Sequence, residues 1–257
     1  MRLQLATWPE VESYLAKSTG IIIPLGSTEQ HGPTGFIGTD ALCPEILAYG
    51  LDEKRAAEGN DVMIAPTLSI GMAQHHLGFA GSVTLRPTTL IAVVQDVVNS
   101  LAKHGFDRFY FLNGHGGNIA TVSAAFSEIY AEHSFGRAGD NRPPVRCQLV
   151  NWFTLPGVME ICKDAFGDDD GSHATCGEVS LTYYGFQKDA ERVRHAAMAP
   201  GRAGEGKIYD SDDYRRRFPD GRIGSDPRKA SVDVGEKLFN TAIGEIAESY
   251  DTFVGAA

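Results

Sequence analysis

Two short apolar runs dominate the sequence: IIIPL at 21–25 and the strand-like RFYFLNG at 108–114, each ending on a glycine. A run with no polar alternation suits a strand covered on both faces, as in the parallel sheet of an α/β protein, and does not suit one half exposed to water. The segments around these runs return to helical spacing. Thr7 with Glu10 forms a capping-box pattern and Pro9 tolerates a first turn, which predicts a helix over 8–18. A second helix is predicted over 40–55 with Thr39 as its cap, then a strand at 62–66. A long loop punctuated by glycines leads to a short strand near 82–85. Leu90, Val93, Val94, Val97, Val98 and Leu101 mark a helix over 87–104, opened by Pro87 and ended at Gly105. A helix at 116–133, a strand at 145–153 and helices at 176–186 and 229–253 follow, while 199–225 reads as a flexible or interface-forming segment. The alternation predicts a three-layer α/β/α fold with a mostly parallel central sheet, and 257 residues suit one domain spanning 1–257.

Composition narrows the function. With 42% apolar and 22% charged residues the chain is expected to be globular, and a net charge of −10 argues against nucleic acid, whose phosphates demand a basic surface. Cys43, Cys147, Cys162 and Cys176 form no C-x-x-C pair, so free thiols in a reducing compartment are expected. No stretch approaches the roughly 18 continuous apolar residues of a membrane span, and MRLQLATWPEVE lacks the apolar centre of a signal peptide. The expected location is the cytoplasm, with no membrane partner.

The chemistry lies after the two apolar runs. GSTEQHGPTGFIGTD, at 26–40, carries Glu29, His31 and Asp40, and NGHGGN, at 113–118, carries His115. Ligands of open α/β sheets gather at the carboxyl ends of strands, so these side chains can converge. Mixed oxygen and nitrogen donors suit Zn²⁺, Mn²⁺ or Fe²⁺, and a carboxylate with two free oxygens can bridge two ions. A third loop, GSHATCGEVS at 171–180, offers His173 and Glu178. Their spacing alone reads as a loop histidine and a helix-capping carboxylate, with a base or ligand as the alternative. His75 and His76 sit in the loop after the second strand, where one of them is expected to be exposed. The glycines of NGHGGN permit an anion nest as a rival reading, but that would call for basic neighbours. A Cys176 nucleophile is disfavoured because surrounding carboxylates oppose a thiolate. Arg215, Arg216 and Arg217 read as a solvated or intersubunit face.

Together these residues resemble the creatininase (creatinine amidohydrolase) family: a strand, G-S-T-E-Q-H-G-P with a later T-D, N-G-H-G-G-N, and H-x-x-x-x-E-V-S. HLGFAGSVTL around His76 looks like the family's H-x-x-F-P-G-T, and IGSDPRKASVDVGEKL resembles its C-terminal segment, so nearly the whole chain is covered. The resemblance implies two divalent ions, zinc first with manganese or iron as alternatives. It places Glu29, His31, Asp40 and His115 as ligands with Asp40 bridging, Glu178 as ligand or base, and His173 as the proton carrier. His76 and Trp152 map near the substrate. The implied activity is hydrolysis of a C–N bond in a cyclic amide or formamide-type small molecule by a hydroxide generated on the metal. A deformylase or a peptidase acting on a modified substrate is the alternative within the family, and a non-catalytic anion-binding protein the alternative outside it. A homo-oligomer, a hexamer, is also implied. Two departures argue for a substrate other than creatinine. Creatininase proper has a glutamate two residues after the N-G-H histidine, where this chain has Gly117, and a tryptophan four residues before the H…E-T-S histidine, where this chain has Asp169.

Overall fold

The computed structural model describes residues 1–136 and 144–256. Among these, strands β1 (Gly20–Leu25), β2 (Met63–Ile64), β3 (Arg108–Asn113) and β4 (Arg146–Asn151) form a parallel sheet in the order β2-β1-β3-β4. Successive side chains of a strand point to opposite faces, and both faces here are apolar. Ile22 of β1 joins Tyr110 and Leu112 of β3 on one face. There they pack on helices α2 (Thr39–Ala57), α5 (Pro156–Phe166), α6 (Cys176–Gly185) and α9 (Val232–Gly255), through Leu47, Val158, Leu181 and Leu238. Ile21, Ile23, Leu25, Phe109 and Phe111 point the other way. They meet α1 (Trp8–Leu15), α3 (Pro87–Ala102) and α4 (Ile119–Ser134) through Tyr14, Leu90, Val94, Val98 and Phe126. The result is the expected α/β/α layering, and the solid apolar runs are strands covered on both sides.

Local signals account for most boundaries. The Thr7–Glu10 capping box is formed at the start of α1, and Pro87 opens α3. Thr39 does not cap α2: Gly38 holds that position, and the Thr39 hydroxyl donates to Phe36 O at 2.7 Å. No strand forms over 82–85. Only Val83 bridges, antiparallel, to Thr28, because Leu85 N–H goes to Gly71 O and Thr84 Oγ1 accepts from Ala73 N–H, folding the segment onto its own loop.

The flexible alternative for 199–225 is corrected by the structure. This segment contains helix α8 (Ser211–Arg217), capped by the Asp210 carboxylate accepting from the N–H groups of Asp212 and Asp213, and it buries Tyr214, Phe218 and Arg222. Arg222 acts as a clasp. Its guanidinium donates to Ala199 O, Gly201 O and Ser225 O and pairs with Asp220 at 2.7 Å, tying both ends of the segment together. The polar composition that suggested flexibility is the material of that internal network. The sequence reading also passed over α5 and α7 (Gln187–Val193).

The layering has a direct consequence for stability. Ile22→Ala opens a cavity at the centre of the sheet and is expected to cost about 2–5 kcal/mol. Leu5→Ala, at a side chain 76% exposed, should stay within about 0.5 kcal/mol. Urea unfolding of both variants measures the difference.

Candidate metal centre

Pairing of β1 with β3 sets Leu25 opposite Asn113, so the two ligand-bearing loops leave the sheet side by side. Asp40, in the first turn of α2, lies against both exits: a Cβ on Gly26 or Gly114 would stand 2.2 or 2.0 Å from its carbonyl oxygen. Only glycine allows that approach. Asn118 ties the loops together. Its Nδ2 donates to Gly26 O and Asn113 Oδ1 while its Oδ1 accepts from Met72 N–H, which joins the loops after β1, β2 and β3. Sequence reasoning missed this residue, although the two asparagines framing N-G-H-G-G-N were the available signal.

Asp40 is the hub. Its Oδ1 lies 3.1 Å from His31 Nε2, and its Oδ2 lies 2.9 Å from His115 Nδ1. His115 Nε2 stands 3.3 Å from Glu29 Oε2, and His31 Nε2 stands 3.7 Å from Glu178 Oε1. His173 Nδ1 is 3.8 Å and His76 Nε2 is 3.0 Å from Glu29 Oε1. Four loops thus bring Glu29, His31, Asp40, His76, His115, His173 and Glu178 together, and Glu178 serves twice. It completes the capping box of α6, accepting from Thr175 N–H at 2.5 Å, while the same oxygen faces His31.

Three carboxylates held together away from water are unfavourable unless positive charge compensates them. Burial raises the Glu29 carboxyl to about 8, with the Asp40 charge adding to the effect. Burial likewise raises Glu178 to about 7. Burial opposes a charged His31, but the carboxylates of Asp40, Glu178 and Glu29 outweigh it and hold the imidazole at about 10. His115, between Asp40 and Glu29, stands at about 9 by the same balance. Asp40 is held well below the carboxylate range because His31 and His115 outweigh its burial. Two oxygens, Glu29 Oε1 and Asp40 Oδ2, are buried without accepting any hydrogen bond. Each has an imidazole nitrogen at about 3 Å, but out of line for a hydrogen bond to that oxygen. A cation with nitrogen and oxygen ligands satisfies such a set, and Glu29, His31 and Asp40 offer ligand atoms all within 4.8 Å of one another.

A cavity of about 1210 Å³ opens over the cluster. Trp152 forms part of its wall at only 2% exposure, packed edge-on to Phe153. His76 is 1% exposed, with Nδ1 3.0 Å from Gln30 Nε2, whereas the half-buried His75 lines the same cavity. Burial pulls His75 down to about 4, so its ring is neutral at physiological pH. Gly117 leaves no room for a larger residue on this backbone, since a Cβ there would lie 2.4 Å from His115 Nε2 and 2.7 Å from Met72 O. Asp169 pairs with Lys229. Cys176 is buried with Sγ donating to Asp226 O at 3.1 Å, and burial pushes the thiol to about 12, which leaves it inert at neutral pH. All four cysteines are free. Among the described residues, no helix is long and apolar enough to cross a membrane.

Comparison with known proteins agrees with this arrangement. The creatininase family profile, described as creatinine amidohydrolase, matches residues 4–250. A creatinine amidohydrolase of Pseudomonas putida is 34% identical over 252 residues, covering 95% of this chain and 93% of that protein. A mycofactocin precursor peptide peptidase of Mycolicibacterium smegmatis is also 34% identical, but over 113 residues, 44% of this chain and 45% of its own length. Among solved structures, a creatininase variant with tryptophan replaced by phenylalanine superposes with a TM-score of 0.83 over 99% of both chains at 19% identity. A manganese creatininase superposes with a TM-score of 0.81 over 99% of both chains at 20% identity. With family profile, full-length relative and fold in agreement, the chain belongs to the creatininase family.

Proposed function

We propose that this chain is a metal-dependent amidohydrolase that cleaves the C–N bond of a cyclic amide or formamide-type small molecule. The observation that carries the reading is the Asp40 carboxylate, whose two oxygens face two different imidazoles, those of His31 and His115, inside a buried set of carboxylates. That is the disposition of a bridging ligand. Asp40 and His31 with Glu178 would hold one divalent ion, and Asp40 and His115 with Glu29 the other. Glu178 then takes up the part that a glutamate at position 117 would play. Zinc is the first candidate and manganese or iron the alternatives, since geometry and availability decide among them more than ligand type. When bound, such ions supply Lewis acidity, lowering the pKa of water to roughly 7 and polarising a carbonyl oxygen.

The chain's own residues supply the rest. His173 Nε2 lies 2.7 Å from Gln30 O, a carbonyl that can only accept, so His173 carries its proton on Nε2 and keeps Nδ1 bare toward the cluster. Burial holds His173 well below the usual imidazole range, so the ring is neutral at rest. It can take a proton on Nδ1 and deliver it to the leaving nitrogen. Trp152 walls the cavity, and His75 offers a neutral donor or acceptor to a bound amide.

A specific observation favours a second reading, hydrolysis of an amide in a longer, peptide-like substrate. The cavity, at about 1210 Å³, exceeds the roughly 300–1,000 Å³ of common small-molecule pockets, and one relative is named as a peptide peptidase. A formylated heterocycle would use the same residues. A non-catalytic anion site fits poorly, because Glu29 Oε1 and Asp40 Oδ2 are buried acceptors without a donor, which an anion cannot satisfy. The chain is proposed to assemble into a homo-oligomer, a hexamer by family likeness, which light scattering on the purified protein tests.

The decisive experiment combines metal analysis with a panel of cyclic amides, formamides and short peptides under added Zn²⁺, Mn²⁺ or Fe²⁺. Two ions per chain and turnover of one panel member are expected; no stoichiometric metal, or metal content unchanged in Glu29→Ala and His115→Ala, would refute the reading. Asp40→Ala should lose both ions and turnover together, and full activity in that variant rules out the bridge. Metal uptake should also be linked to protons. His31 at about 10 and His115 at about 9 are charged at pH 7 in the metal-free chain and must shed protons to ligate. Zinc affinity should therefore fall as pH is lowered, and the calorimetric heat of zinc binding at pH 7 should change with the ionisation enthalpy of the buffer.

A further inference from the structure

The buried side chain of Gln30 touches more of the site than any ligand requires, and neither the ion positions nor the proton transfer described above uses it. Its Oε1 accepts from Gly32 N–H at 2.8 Å, and its Nε2 lies 2.9 Å from Gly221 O, 3.0 Å from His76 Nδ1, 3.0 Å from His173 Nε2 and 3.3 Å from Tyr214 Oη. Oxygen and nitrogen of an amide are told apart by such partners. A flipped amide would set NH₂ against Gly32 N–H and oxygen against Gly221 O, both repulsive, so the NH₂ group faces the histidines.

The proton positions follow. His173 Nε2 spends its hydrogen on Gln30 O at 2.7 Å. The amide nitrogen's approach to that atom is therefore a contact between two donors, and its hydrogens go to Gly221 O and His76 Nδ1. A protonated Nδ1 on His76 would face an N–H donor at 3.0 Å, so that nitrogen must be bare and the proton of the neutral ring must sit on Nε2. The other imidazoles are anchored the opposite way. His31 Nδ1 donates to Glu29 O at 3.0 Å, and His115 Nε2 donates to Met72 O at 2.8 Å. Donation from the far nitrogen to a carbonyl is the habit of a metal-ligating histidine, because it leaves the near nitrogen free to bind. His31, His115 and His173 have this anchor, whereas the far nitrogen of His76 meets the amide NH₂ in place of a carbonyl.

We propose that Gln30 is a positioning residue that fixes His76 in its Nε2–H form, so that His76 presents a hydrogen-bond donor, not a ligand, to the cluster. Of the two triads among the described residues that are able to hold an ion, Glu29–His76–His173 and Glu29–His31–Asp40, the amide disables the first and leaves the second. Gly221 belongs to the device. It sits at φ +86°, and a Cβ there would lie 1.8 Å from Gln30 Oε1, so the clasped 199–225 segment bears directly on the amide here. The proposal rests on the metal-dependent reading for its consequence, although the proton position can be read without any metal.

The test is a long-range ¹H–¹⁵N correlation spectrum of the full chain labelled with ¹⁵N-histidine, recorded with and without Zn²⁺, with the His76 signals assigned by their loss in His76→Asn. His76 should show a bare Nδ1 and a protonated Nε2 in both states. Gln30→Glu replaces the NH₂ by an acceptor oxygen of the same shape and should move the His76 proton to Nδ1, shifting zinc affinity by roughly 10–100-fold. Gly221→Ala, which displaces the amide while retaining it, should alter the His76 signals likewise. A protonated Nδ1 on His76 in the unaltered chain, or an unchanged His76 pattern in a folded Gln30→Glu, would overturn the proposal. If the expected pattern appears in a chain that binds no zinc, Gln30 keeps its assigned role and the amidohydrolase reading fails alone.

Discussion

The structure depends on the cost of keeping three carboxylates, Glu29, Asp40 and Glu178, together away from water. Left uncompensated they would destabilise the folded state or become protonated. Four imidazoles surround them, and those of His31 and His115 take up protons where positive charge is required. Even so, Glu29 Oε1 and Asp40 Oδ2 accept no hydrogen bond. A protein tolerates such orphaned atoms where a cation belongs, and the arrangement of the remaining loops follows from holding this unstable set in place.

The holding is done by backbone and amide groups. Two adjacent parallel strands deliver two loops at one level, glycines at both exits admit the start of α2, and Asn118 cross-links three loops. Gln30 then connects the cluster to the segment clasped by Arg222. The charged centre is thus supported by neutral donors and acceptors whose orientation does not depend on pH. Such support keeps ligand geometry constant while the ligands themselves gain and lose protons.

Much of this was legible in the chain. IIIPL and RFYFL have no polar alternation, which determined strands covered on both faces, and their glycine exits located the site. What could not be read came from tertiary hydrogen bonding. The 199–225 segment looked loose because it is rich in Gly, Arg and Asp, yet a guanidinium 2% exposed organises it through carbonyl groups that no sequence pattern reveals. The spacing of His173 and Glu178 left a structural and a functional role in competition, and the fold gives Glu178 both a capping bond and a place 3.7 Å from His31. Gln30 sat inside the motif unremarked, since an amide's importance lies in which way it points.

The proposed centre holds two cations that share the Asp40 carboxylate. Anomalous diffraction from crystals grown with zinc, collected at the zinc edge, tests it most directly. Two peaks are expected, one on each side of Asp40, the first beside His31 and Glu178 and the second beside His115 and Glu29. A single peak between Glu29, His76 and His173, or no peak within the cluster, would contradict it.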